Sequence, residues 1–197
     1  MTSTTTAPPP TRSTDVGLAN AFGVGSVLAA LGSLGYISLN WMDSSREAYT
    51  HPVGIVSSMV ATTGIVVLAL ALARWRTSLP GWAVLTAAAG LVFTAAGAWF
   101  FATGIVAIGE FTDDDLFEEI GTHGWMVAMW IPKIVLCLIA FATLAITGWR
   151  SRTIPRAISV AFGIAAVASL MPVHPPGILL ASLGLFLVSR TRPESRT

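Results

Sequence analysis

The side chains able to do chemistry in this chain of 197 residues are few: three histidines, one lysine, one cysteine and a cluster of carboxylates. His51 stands in His51-Pro52-Val53-Gly54-Ile55 and His174 in His174-Pro175-Pro176-Gly177-Ile178, the same His-Pro-x-Gly-Ile pattern at the head of an apolar run. His123, followed by Gly124, occupies the matching place before another such run. Three neutral imidazoles beside a carboxylate form a donor set for a divalent metal such as zinc or copper, which would make the chain a membrane-embedded metal-dependent hydrolase. No close spacing of the His-x-x-x-His type puts two of them on one helix face, so the tertiary fold would have to bring them together. The competing reading is structural: proline or glycine starts each helix, and histidine is an amphipathic neighbour at the interface.

Lys133 is the only lysine, and it lies inside an apolar run behind Pro132. An ionisable side chain within a membrane span is costly and calls for a partner. The candidates are Glu110, Asp113, Asp114, Asp115, Glu118 and Glu119, all in one connection. Counted along a helix from Gly148, Lys133 stands about 22 Å above the opposite end, and His174 counted from Arg190 reaches about the same height. Alternatively, the Lys133 stem snorkels and lifts its ammonium to water. The acidic connection has three readings: a solvated face, a vestibule attracting cations, or a lid salt-bridged to Lys133 and Arg46. Its Asp-Asp-Asp-Leu-Phe-Glu-Glu segment suits a short interfacial helix capped by Asp113 or Asp114. It lacks the glycine turn and distal glutamate of a calcium loop. The candidate ligand-binding set is therefore Lys133, His174, Glu110, Asp114, Glu118 and Glu119. Cys137 alone allows neither an internal disulfide nor a cysteine-based metal site. No nucleophile elbow, phosphate-binding glycine loop or dinucleotide fingerprint occurs, so the sequence predicts no catalytic residue.

The elements that position these residues are membrane helices. Hydrophobic residues make up 54% of the chain and charged residues 11%, against about 25% charged in a soluble domain. The stretch 81–108 carries no charge, and as a helix it would run about 42 Å, beyond the roughly 30 Å of a bilayer core. Small residues descend it at spacings of four and three: Ala83, Ala87, Gly90, Thr94, Gly97 and Gly104, interrupted by Phe101. Such a seam lets a second backbone approach closely, either from a helix of the same chain or from a second copy. Residues 16–42, 53–73, 124–148, 157–170 and 177–189 supply five more apolar runs, the first with its own small face at Gly25, Ala29 and Ser33. The first, third and fourth spans would each reach about 37–42 Å, the fifth and sixth only about 20 Å. Those two short spans would leave an outward-facing depression over which the acidic loop can fold.

Charge sidedness sets the orientation. Six crossings put both termini and two arginine-rich turns on one side, where nine arginines face Asp15 and Glu194 for a net +7; the other side holds Arg46 and eight carboxylates for a net −7. Arginine marks the cytoplasmic side, so both termini are expected in the cytoplasm. This also accounts for the basic residues without nucleic acid. Residues 1–15, rich in Thr, Pro and Ser, read as a disordered tail, 16–189 as one transmembrane domain and 190–197 as a basic tail.

The fold expected is therefore all-α, a polytopic bundle of six transmembrane helices, mainly up-and-down, in a bacterial plasma membrane. Its partners are the lipid bilayer and either a further copy or another membrane protein. The leading function is a non-enzymatic accessory or small-ligand- or ion-binding component acting through the outer face. A transporter or channel using Lys133 and the acidic loop stands second, and the metal-dependent hydrolase third.

Overall fold

A computed structural model describes residues 12–39, 45–75, 77–124, 128, 130–152 and 154–170. Among these are seven helices and no strand: α1 (Arg12–Ile37), α2 (Ser45–Thr50), α3 (Pro52–Arg74), α4 (Gly81–Phe111), α5 (Asp114–Thr122), α6 (Ile131–Ser151) and α7 (Arg156–Ala168). Proline punctuates the long ones. Pro52 sits in the first turn of α3 and Pro132 in that of α6, while Pro80 and Pro155 are the N-caps of α4 and α7. At these positions the missing N–H is one the helix would leave unpaired anyway. α6 ends on Arg152, a non-glycine residue in the left-handed region at φ 54°, whose backbone N–H donates to the Gly148 carbonyl.

Four helices are long and apolar enough to cross a membrane: 16–35 within α1, then α3, α4 and α6. Large apolar side chains point outward along all of them, among them Leu31, Val56, Leu70, Leu85, Val92 and Ile139, each at least half exposed. A helix apolar on its outer as well as its inner face is a lipid-facing helix, and four of them mark a membrane protein. Hydroxyls inside the bundle turn back on their own helix: Ser26 donates to the Phe22 carbonyl at 2.6 Å and Thr94 to that of Gly90 at 2.9 Å.

The helices form a row in which each packs on its neighbours: α1 on α3, α3 on α4, α4 on α6, α6 on α7. Glycine sets the approach of α1 to α3 and of α4 to α6. A methyl group at Gly32 would collide with the backbone of Ser57 and Ala61, and one at Gly64 with that of Gly25 and Ala29. The small face of α1 thus uses Gly32 together with Gly25 and Ala29, while Ser33 is buried with its hydroxyl unpaired among the described residues. The stripe on α4 is filled by α6, with Gly90 against Cys137 and Gly97 against the Trp130 ring. Seven residues separate both pairs on both helices, so α4 and α6 run antiparallel in register.

Several boundaries differ from those expected. α1 is helical from Arg12, inside the expected tail. The acidic connection is largely helix: α4 runs on to Phe111, and α5 follows with Asp113 as N-cap, accepting from the Leu116 N–H at 2.9 Å. The polar stretch after α1 contains α2. The fourth span starts at Ile131 rather than Gly124 and so measures about 31 Å. The fifth run is the 13-residue α7, about 20 Å long as anticipated. The sixth, 177–189, and with it the depression above the last hairpin, lies outside the described residues.

The close approaches generate a contrasted pair of substitutions. Gly64→Leu, which drives a side chain into the α1 backbone, should destabilise the protein by about 1–3 kcal/mol. Gly163→Ala, whose methyl would only touch Ala145 at 3.9 Å, should be neutral or stabilising by up to about 1 kcal/mol. Thermal unfolding of the detergent-solubilised protein distinguishes them, and equal effects would refute the seam.

Candidate functional site

The chemically active side chains gather at one end of the row, where α1 ends, α3 begins, α4 ends and α6 begins. Apart from Asp15 in the first turn of α1, every described carboxylate lies at this end, in α2, the last turn of α4, α5 or the Asp113 cap. α4, at 31 residues, would be about 46 Å long, some three turns more than a hydrocarbon core needs. Its surplus turns serve as the wall against which α2 and α5 pack, with Gly109 against Thr50 and the Arg46 stem.

Arg46 ties this cap together. Its Nε donates to Asp114 Oδ1 at 2.6 Å and its Nη1 to the Gly109 carbonyl at 3.1 Å, joining α2 to α5 and to the end of α4. Both ion-pair partners remain partly open to solvent, 36% and 55% exposed, which limits the pair to about 0.2–1 kcal/mol. Of the two ion pairs named for a lid, to Lys133 and to Arg46, the one to Arg46 is made, and Asp114 is its carboxylate.

Beneath the ion pair runs a column of rings, one from each converging segment. Phe117 of α5 lies 6.1 Å from Tyr49 of α2; Tyr49 stacks on Phe101 of α4 at 5.0 Å and 14°; Phe101 stacks on Trp130, the N-cap of α6, at 5.5 Å and 19°. The column ends on Lys133, whose Nζ lies 5.2 Å from the Trp130 ring centroid. An ammonium against an indole face is favourable, the more so when water is excluded. Lys133 is only 2% exposed, so its side chain does not snorkel out to water. The α4–α6 register sets it level with Thr94, about 20 Å from the start of α4. Gly97 makes this possible, since any larger residue there would meet the Trp130 ring.

The remaining candidates are spread out. His51 is the N-cap of α3, its Nδ1 accepting from the Val53 N–H at 3.2 Å. His123 is the C-cap of α5, eight residues before α6 begins. His174 lies outside the described residues. Among those described, no three His, Cys, Asp or Glu side chains gather as a metal site. Glu110, Glu118 and Glu119 are exposed on the cap. Sequence reasoning missed Tyr49, Phe101 and Phe117. The available signal was Phe101, the single bulky residue in the small-residue stripe. No protein family, curated protein or solved structure matches this chain.

Loss of the ion pair should loosen the cap without unfolding the bundle. For Arg46→Ala, amide exchange across α5 is expected to quicken about 1.5- to 5-fold, as a pair of 0.2–1 kcal/mol implies, while exchange in α3 and α4 stays unchanged. In 1 M salt, where screening acts within about 3 Å, the wild-type protein should approach the variant. Unchanged exchange in α5 would show that the pair does not hold it.

Proposed function

We propose that this chain is a non-enzymatic integral protein of a bacterial plasma membrane, an accessory or small-ligand-binding component that works through its acidic, outward-facing end. The observation that carries the reading is the roof over Lys133: an exposed ion pair holding two short helices above a ring column that leads to a buried ammonium. A weak latch over a desolvated cation is a device for admitting a ligand. A purely structural cap would gain more from apolar packing than from burying a charge. The arginine-rich ends of α3 and α6 face the cytoplasm, in keeping with the bias that orients membrane chains.

A second reading, passage of a small solute or ion past Lys133, is favoured by the depth of that residue, roughly two-thirds of the way across the core. Both readings require Lys133 to become accessible from the acidic side.

Two measurements test this. Reporter fusions at Ser78 and at Asp115 should report opposite compartments, the first cytoplasmic; a shared compartment would overturn the orientation. In a Cys137→Ala background, Lys133→Cys should react slowly with a membrane-impermeant maleimide added outside. Reaction should be about 1.5- to 5-fold faster when Arg46→Ala unlatches the cap, by the worth of an exposed pair. No labelling in either background would count against ligand access.

A further inference from the structure

The opposite end of the bundle carries a separate site. Between α6 and α7 runs a groove of about 260 Å³, lined by Ala145, Ile146, Trp149, Arg150, Ser159 and Val160. Its walls are apolar and open to the outside, with Ile146, Trp149 and Val160 each at least half exposed. At its head the charge turns positive. Arg150 lines it, and the Arg156 guanidinium lies 5.2 Å from the centroid of the Trp149 ring, fixed over the same wall.

Three further observations point to an anion with an apolar body. α7 begins at this end, and its N-cap, Pro155, offers no side-chain oxygen to its first amides. An uncapped helix start of this kind favours negative charge. Ser159, 2% exposed, presents a hydroxyl with no hydrogen-bond partner among the described residues, wedged against Gly148 in the lining of the groove. The one carboxylate of the described helices at this end, Asp15, is in the first turn of α1, which packs on α3 at the far side of the row.

We propose that this groove binds an anionic phospholipid. The acyl chain lies along Ala145, Ile146 and Val160, the phosphate is held by Arg150 and Arg156 at the start of α7, and a small shift of the wall exposes the otherwise shielded Ser159 hydroxyl to donate to a glycerol-ester oxygen. The geometry fits a lipid rather than a soluble phosphate, because the apolar part of the groove opens sideways, on the same flank as the lipid-facing residues of α6 and α7. Basic pockets between membrane helices recognise acidic headgroups by this combination of charge and apolar contact. The site is independent of the cap at the acidic end and of whatever that cap admits.

The test uses the full chain, delipidated in neutral detergent, with unfolding followed through its seven tryptophans. Added phosphatidylglycerol should raise Tm about 5 °C or more above the effect of equal phosphatidylcholine, the shift expected of a ligand near a hundredfold excess over Kd. The double variant Arg150→Gln/Arg156→Gln, changed only at exposed positions, should keep its lipid-free Tm and lose most of that difference. Ile146→Trp, which fills the groove from outside, should do the same, whereas Arg74→Gln on the distant α3 should retain it. Equal shifts with the two lipids would overturn the proposal, whether bulk lipid or residues 177–189 occupy the groove. So would an equal shift with glycerol 3-phosphate, which has the headgroup charge and no acyl chain, or an undiminished shift in the double variant.

Discussion

Helices in lipid gain little from hiding apolar surface from one another, because the surrounding tails are as apolar as leucine. What remains is contact at close range, and that requires backbones to meet where no side chain intervenes. Gly25, Gly32 and Gly64 serve this purpose between α1 and α3, and Gly90 and Gly97 between α4 and α6. The close pairing of α1 with α3, the antiparallel register of α4 and α6, and the height of Lys133 follow from where those glycines fall. Phe141 and Phe162, stacked at 6.0 Å, continue the packing from α6 to α7. The groove with its arginine head opens beside that contact.

The two ends of the bundle differ in chemistry because they answer to different surroundings. At the basic end the charges are mainly arginines at helix ends, and the features beside them are an aromatic wall and a buried hydroxyl. At the acidic end α4 outruns the membrane, and its surplus length makes a small extramembrane structure affordable with very few residues. The six residues of α2 and nine of α5 could not persist as helices by themselves, since nucleation is unfavourable and both are far below the length an isolated helix requires. They hold their shape by leaning on α4 and by sharing a column of rings.

The long helices could be read in the chain because each holds a long apolar run, opened by proline in α3, α4 and α6, a pattern that depends on nothing outside the segment. The Asp113 cap was legible for the same reason, being a local side-chain-to-backbone contact. The beginning of α6 was not, since residues 124–130 share its apolar composition and only Pro132 marks the change. α2 was hidden as well: Ser45–Thr50 has no apolar period, and its helix is stabilised by tertiary contact. Six carboxylates were visible as partners for Arg46, but the choice of Asp114 depends on how α5 is rotated against α2. The column of Phe117, Tyr49, Phe101 and Trp130 draws one ring from each of four segments, so no spacing within the chain encodes it.

Arg46 and Asp114 are 68 residues apart in the chain, and both α3 and α4 lie between them. During synthesis the arginine emerges first and has no carboxylate on α5 to meet until two complete crossings have been made. A single failed crossing would leave the two side chains on opposite faces of the bilayer. The clasp between α2 and α5 therefore closes only on a chain in which α3 and α4 have both crossed.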